Sequence, residues 1–110
     1  MPSLNASGTQ TATLTTEHTL ATITTPIGIY QLFVDAAALA DGETLRLRVK
    51  YKVLTGGTER VLQEAIYVNA QADPIKVSLP IVSDISFVAT LTQTGGTGRA
   101  FPWKIMRLDG

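Results

Sequence analysis

The chain contains no cysteine, which excludes a disulfide framework and any site built from thiolate ligands. Nine basic and nine acidic residues cancel, so there is no overall attraction to nucleic acid or to an anionic membrane, and only local patches can matter. No apolar run approaches the ~20 residues of a membrane-spanning helix, and residues 1–5 lack the basic and apolar regions of a secretion signal. We therefore expect a protein stabilised by packing or assembly and used without export.

Residues suited to catalysis are also scarce. His18 is the only histidine, so a zinc site or a Ser-His-Asp triad would need distant partners. There is no Gly-x-Ser-x-Gly elbow, and the glycine pairs lie between predicted strands, which is the wrong context for a phosphate-binding loop. Asp35, Asp41 and Glu43 are close enough in sequence to hold calcium, but capping and turn formation explain them more simply. We predict a protein without catalytic residues, cofactor or metal.

Residues 43–68 carry the clearest pattern in the chain, that of a long β-hairpin. Along its first half two sets of side chains alternate: Leu45, Leu47, Val49, Tyr51 and Val53 face one way, and Thr44, Arg46, Arg48, Lys50 and Lys52 the other. Gly56 and Gly57 predict a two-residue turn, which would set Leu45 opposite Val68 and Leu47 opposite Ile66. Glu64 would then oppose Val49, so we expect it at a sheet edge, beside a base, or in a subunit contact.

The other elements are short strands separated by turn residues. Strands are predicted over 18–25, 27–35, 75–79 and 85–91, and a short helical turn over 36–40. A second glycine-rich turn at 94–99 predicts another hairpin, in which an odd-numbered loop sets Leu91 opposite Phe101, Ala89 opposite Trp103 and Phe87 opposite Ile105. Seven or eight short strands predict an all-β protein, an antiparallel β-sandwich, with jelly-roll connections as one alternative for its wiring.

Residues 1–17 differ from the rest, because they are rich in Ser, Thr, Ala and Gly and almost uncharged. We predict a flexible arm followed by a single sandwich domain over 18–110. Three interpretations of the arm remain open: a frayed terminus, an arm that orders on a neighbouring subunit, and an edge strand.

Two groups of side chains are candidates for binding. A basic row with two neighbours forms a candidate partner-contact surface: Arg46, Arg48, Lys50, Lys52, Tyr67 and Glu64. We favour a solvated strand face over a contact with a carboxylate-rich partner, and either over a nucleic-acid or polyanion site. Phe101 and Trp103 are candidates for an aromatic platform that stacks on sugars, although core packing is the simpler explanation.

Three stretches carry a resemblance to a known family: residues 30–35 (YQLFVD), 45–58 (LRLRVKYKVLTGGT) and 93–103 (QTGGTGRAFPW). Together they resemble a group of small structural proteins encoded by tailed bacteriophages. The resemblance implies a capsid decoration or cement protein in the phage head, assembled in the host cytoplasm and often trimeric. Its partners would be the major capsid protein and its own copies, with no membrane and no nucleic acid. That family has no catalytic motif, so no functional residue is transferred.

Two alternatives to the decoration role stay open. The first is a tail, baseplate or fibre-associated module of the same particle. The second is a carbohydrate-binding sandwich domain that uses Trp103, Tyr30 or Tyr67. An enzyme is the interpretation that the sequence favours least.

Overall fold

The computed structural model describes residues 2–109, which form nine β-strands and no helix. In chain order the strands are β1 (Ser3–Thr11), β2 (His18–Ile23), β3 (Gly28–Asp35), β4 (Thr44–Tyr51), β5 (Arg60–Val68), β6 (Ile75–Val77), β7 (Ile81–Ser83), β8 (Phe87–Thr94) and β9 (Ala100–Arg107).

The strands form two antiparallel sheets that pack face to face. The four-stranded sheet has the order β2-β8-β4-β5, and the five-stranded sheet has the order β1-β9-β3-β6, with β7 pairing β3 as well. Every strand pair is antiparallel. The predicted all-β sandwich is therefore confirmed.

The core lies between the sheets and follows from the period of two along the strands. Tyr30 and Leu32 of β3 and Leu45 of β4 are buried, whereas the residues that alternate with them along each strand are partly exposed. The rings of Tyr30 and Phe87 pack with their centroids 5.8 Å apart. Burying one such aliphatic or aromatic side chain stabilises a fold by about 1.5–3 kcal/mol, so this layer supplies the main driving force for folding.

The short helical turn predicted over 36–40 is wrong. Two successive tight turns replace it, closed by hydrogen bonds from Leu39 N–H to the Ala36 carbonyl (3.1 Å) and from Glu43 N–H to the Ala40 carbonyl (3.2 Å). Asp35 does cap this segment, since its carboxylate accepts the Ala37 N–H at 3.0 Å. The Ala36 N–H donates to the Pro74 carbonyl of a neighbouring loop at 2.8 Å. In a helix this N–H would lie in the first turn and would have no partner within the helix.

The second glycine-rich turn joins the two sheets instead of closing the predicted hairpin. β8 lies in the four-stranded sheet and β9 in the five-stranded sheet, so Leu91 and Phe101 are not paired, although both are fully buried. The connecting loop is held by the buried side chain of Gln93. Its amide accepts the Arg99 N–H at 2.8 Å and donates to the Thr97 carbonyl at 2.7 Å. Turn residues alone do not reveal such a bond.

The predicted register of the central hairpin is wrong by one residue. Leu45 lies opposite Tyr67 and Leu47 opposite Ala65, and a bulge follows Val49. The turn is wider than two residues: β4 ends at Tyr51, β5 begins at Arg60, and a tight turn from Leu54 to Gly57 lies between them. A slip of one residue moves every side chain of a strand to the opposite face of the sheet. The apolar residues that we expected inside β5 therefore face outward.

The segment predicted as an arm contains an edge strand, one of the three interpretations left open. β1 pairs with β9 from Ser3 opposite Arg107 to Thr11 opposite Ala100, with a bulge between Leu4 and Ala6. Its small polar side chains explain why the sequence carries no strong strand signal here.

Candidate protein interface

The outer face of the four-stranded sheet carries most of the predicted basic row, and two acidic side chains neutralise part of its charge. The Arg46 Nε lies 2.9 Å from the Glu64 carboxylate, and an Arg48 NH2 group lies 3.5 Å from the same carboxylate. Glu17 binds the other end of the row, 3.0 Å from Lys50 Nζ and 3.5 Å from Arg48. Glu64 thus has the basic partner that we expected, on an edge strand.

Glu17 is held by more than ion pairs. The Thr90 hydroxyl donates to its carboxylate at 2.8 Å. Partial burial alone would raise the pKa of Glu17, but the hydrogen bonds from Thr90 and Lys50 and the nearby positive charges outweigh it, so the pKa lies below its ordinary value. Glu17 is therefore ionised at neutral pH, and together with Glu64 it cancels part of the positive charge that the row would offer to a polyanion.

The structure does not bring all six predicted contact residues together. Arg46, Arg48, Lys50 and Glu64 share the outer face, and Lys52 follows the end of β4. Tyr67 lies on the other side of the sheet, because it pairs with the inward residue Leu45 and packs against the core. Its ring is covered by Lys76 Nζ, 4.6 Å from the ring centroid.

A second group of exposed side chains, which the sequence pattern did not predict, is apolar and lies around β5, β6 and β7. Of the twelve large hydrophobic side chains that are exposed in residues 2–109, eight lie on or beside three neighbouring strands, β5, β6 and β7. We call this set the apolar edge: Val61, Leu62, Ile66, Val68, Ile75, Val77, Leu79 and Val82. Leu62, Ile66 and Val68 are 52–54% exposed although they belong to a regular strand. Leu62, Leu79 and Val82 line one cavity, and a cluster of exposed apolar side chains is a candidate site for contact with another protein.

β5 and β6 are edge strands on the same side of the sandwich, but their exposed side chains point to opposite outer faces. Ile66 lies opposite the outward Arg46 of the four-stranded sheet, and Val77 lies opposite Phe33 on the outside of the five-stranded sheet. β5 and β6 are linked across the opening by the Leu79 N–H, which donates to the Gln63 side chain at 2.9 Å, and by the contact of Lys76 with Tyr67. β5 is nine residues long, and β4 is its one partner among the strands of residues 2–109. A long apolar edge strand of this kind is a template for pairing with another chain.

The sequence did contain a signal for this surface, but the predicted register concealed it. The apolar residues Leu62, Ile66 and Val68 fit a buried face only if Gly56 and Gly57 make a two-residue turn. The alternative register, with Gln63, Ala65 and Tyr67 inward, would have predicted an exposed apolar strand face.

The aromatic residues proposed for sugar stacking do not form a platform. Tyr30 is completely buried, and its hydroxyl donates to the Pro26 carbonyl at 2.6 Å. Phe101 is also buried, while Trp103 is half-buried and packs against the core beside Gly8. With Tyr67 under Lys76, these four rings share no exposed face.

The candidate ligand residues have structural partners. The ring of His18 accepts the Thr13 N–H at 2.9 Å through Nε2, and its Nδ1 lies 3.2 Å from the Gln10 amide. Asp41 accepts the Ala70 N–H at 3.2 Å. Within residues 2–109, no three His, Asp or Glu side chains come close enough together to hold a metal ion.

Among residues 2–109, Glu43 is the most deeply buried charge, at 2% exposure; it lies just before β4 and contacts the loop that joins β8 to β9. Its carboxylate accepts hydrogen bonds from Arg99 Nε at 3.0 Å, from the Ala40 N–H at 2.9 Å and from the Thr97 N–H at 3.1 Å. The bonds from Arg99 and Ala40 lower the pKa of Glu43 to about 2. A carboxylate so fully bonded is a structural anchor rather than a reactive group.

Comparisons with known proteins identify no relative. No protein-family model, no curated protein and no solved structure matches the chain. No helix among residues 2–109 is long and apolar enough to cross a membrane. The resemblance to phage structural proteins therefore stays a prediction.

Proposed function

We propose that this chain is a non-enzymatic structural protein of a tailed-phage particle, a decoration or cement protein that binds major capsid subunits and copies of itself. The observation that carries the proposal is the apolar edge. Eight exposed aliphatic side chains on neighbouring strands suit a subunit that completes its packing only in an assembly.

The arrangement of the strands supports the same proposal. With β7 set aside, the sheets have the orders 1-9-3-6 and 2-8-4-5, which we interpret as a jelly roll with β7 as an added strand. Jelly rolls occur in viral capsid proteins and in lectins, so this interpretation favours a capsid role only in combination with the apolar edge.

The remaining surfaces fit an adhesive role better than a chemical one. The basic row is paired with Glu17 and Glu64, the candidate catalytic and metal residues are bound to backbone groups, and the aromatic rings lie in or against the core. What is left for a partner is the set of exposed aliphatic side chains of the apolar edge, which give adhesion by burial rather than by specific polar contacts.

Phage particles that lack the protein test the proposal. Such particles should assemble but release their genome at a lower temperature and burst more readily on osmotic shock, and added purified protein should restore both properties. Particles that are equally robust with and without it would contradict the decoration role. Labelled protein bound at the tail instead of the head would move it to the first alternative, a tail or baseplate module.

A further inference from the structure

The outer face of the five-stranded sheet is apolar across four neighbouring strands. Phe33 of β3 lies opposite Val77 of β6, and Met106 of β9 lies opposite Leu4 of β1. Phe33 and Met106 alternate with buried core residues along their strands, so they and the residues opposite them point away from the core. We call the following set the outer apolar face: Leu4, Phe33, Ile75, Val77, Pro102 and Met106.

These residues form one surface rather than scattered positions. Leu4, Phe33, Ile75 and Pro102 line a single open groove of about 530 Å³. Leu4 belongs to β1 at one edge of the sheet and Ile75 to β6 at the other, and their side chains are 59% and 57% exposed. The outer apolar face is therefore continuous from one edge of the sheet to the other.

β3, which pairs with three other strands of this sheet, is apolar on both sides. Tyr30, Leu32 and Val34 point inward and are buried, while Ile29 and Phe33 point outward and are partly exposed. In an antiparallel sandwich the outward residues are usually polar, and a strand that is apolar on both sides is typical of a sheet covered on both faces. The four-stranded sheet covers one face of β3, and the other face stays open in residues 2–109 of a single chain.

Two charged side chains of opposite sign, Lys104 and Asp35, point outward on the same face. Lys104 Nζ lies 5.2 Å from the centre of the Phe33 ring, and the Asp35 carboxylate accepts the Ala37 N–H at 3.0 Å. Within residues 2–109 neither side chain belongs to an ion pair, whereas the basic row on the other sheet is partly paired. Both charges are therefore available to a partner that brings the opposite charge to each of them.

A second copy of this face brings both of these charges. Lys104 lies opposite Phe33, and Asp35 is two residues further along β3, so the two charges are diagonal neighbours on adjacent strands. A two-fold axis that passes between them sets Lys104 of each copy beside Asp35 of the other. A partner with charges of one sign would leave either Lys104 or Asp35 covered without a counter-charge, which is unfavourable.

The size of the face suits a weak dimer. β3 and β9 have eight residues each, about 27 Å at ~3.4 Å per residue, and four strands spaced by ~4.8 Å are about 19 Å wide. The flat area is thus roughly 500 Å² per copy and about 1,000 Å² in total, within the range of transient protein–protein contacts. We therefore expect reversible association instead of a permanent dimer.

We propose that the outer apolar face binds the same face of a second copy across a two-fold axis, with two reciprocal ion pairs between Lys104 and Asp35. This inference goes beyond the particle role and does not depend on it. It also differs from the trimer that the family resemblance implies, because a two-fold contact closes with two subunits.

Sedimentation equilibrium on the purified chain, from micromolar to millimolar concentration, tests the contact. The wild type should show a reversible monomer–dimer equilibrium with a dimer of twice 11.8 kDa. Leu4→Lys should weaken it by roughly tenfold or more, since the substitution places two further charges in an apolar contact. The matched control is Val53→Lys, which changes an exposed aliphatic residue outside both the outer apolar face and the apolar edge, and it should leave the equilibrium unchanged.

A reversal of charge tests the two ion pairs. Lys104→Glu should weaken the dimer by roughly tenfold, because it sets two carboxylates beside each other at two places in the contact. Adding Asp35→Lys to Lys104→Glu should restore most of the affinity, because the pairs then form with their signs exchanged. A double variant that binds no more tightly than Lys104→Glu would reject the reciprocal pairing.

The wild type supplies a measurement that remains informative if a variant fails to fold. Met106 is one of two methionines in the chain and lies on the outer apolar face, so its methyl resonance in the methionine-labelled protein should shift as the dimer forms. A resonance of Met106 that stays unchanged while the dimer forms would place the contact elsewhere and overturn the proposal. So would a monomer at every concentration, a trimer, or a dimer that Val53→Lys disrupts and Leu4→Lys does not.

Discussion

Replacing Gln93 by Leu tests whether one buried amide holds the loop that joins the two sheets. Gln93 is fully buried at the end of β8. Its side chain accepts the Arg99 N–H at 2.8 Å and donates to the carbonyls of Thr97 at 2.7 Å and Gly95 at 3.3 Å. Leucine has a similar size but can make none of these three hydrogen bonds.

The expected cost follows from the three partners. A hydrogen bond contributes about 1 kcal/mol to stability, and a buried group left without a partner costs about 1–3 kcal/mol. Because the loop is only half-buried, water can replace part of the loss, and we expect a decrease of about 3 kcal/mol in the free energy of unfolding. At about 4 °C per kcal/mol for a domain of this size, the Tm should fall by roughly 12 °C.

Urea denaturation followed by the fluorescence of Trp103, the single tryptophan, measures this change. The adjacent and exposed Thr94 supplies the control, since Thr94→Val should alter the free energy of unfolding by less than about 0.5 kcal/mol. Both variants should be compared at one protein concentration, because association would stabilise the folded state. A Gln93→Leu protein as stable as the control would refute the assignment of the loop to this amide.

Three further predictions concern charge and backbone conformation. Folding lowers the pKa of Glu43 from 4.5 to about 2, so the stability that Glu43 contributes is present above its ordinary pKa and is lost as the pH falls from about 5 towards 2. Over this range the urea midpoint of the wild type should drop more steeply than that of Glu43→Gln. Parallel profiles for the two proteins would contradict the anchor role of Glu43. Gly96→Ala should cost about 1–3 kcal/mol, because Gly96 has a φ of 66° and a Cβ would collide with the Glu43 carboxylate. Gly42→Ala is the control, because Gly42 also has a positive φ, of 85°, but a Cβ there would meet no neighbouring atom. It should lower the stability less than Gly96→Ala in thermal denaturation. Equal losses of stability would show that the collision at Gly96 is relieved at no cost. The double substitution of Glu17 and Glu64 by Gln should increase the retention of the protein on heparin, whereas equal retention of the variant and the wild type would show that these carboxylates do not mask the basic row.

The sequence was sufficient to predict the fold class and most of the core. A period of two is a local property, and it correctly assigned Leu45, Leu47 and Val49 to the inside of β4. Leu91 and Phe101 were also assigned to buried positions correctly, although they lie in different sheets.

Strand register and strand partners could not be obtained in the same way, because they depend on distant or subtle features. The register of β5 follows from a wide turn and a bulge after Val49, neither of which the pair Gly56 and Gly57 reveals. The crossing from β8 to β9 depends on hydrogen bonds made by Gln93 and Glu43. Polar residues with Gly nearby fit a hairpin equally well.

The candidate interface was missed for the same reason. Leu62, Ile66 and Val68 become exposed only in the observed register, so a shift of one residue separates a buried strand face from an exposed apolar one. Sequence spacing reveals the positive charges of the predicted basic surface but not their acidic partners, because Glu17 is 31 residues from Arg48 along the chain. Pairing at that separation is visible only in the folded structure.

Amide hydrogen exchange tests most directly the claim that the apolar edge is a protein interface. We predict that residues 60–68 and 75–82 exchange more slowly in the assembled particle than in the isolated chain, and that residues 3–11 exchange alike in both. Equal exchange of residues 60–68 in the two states would contradict the account.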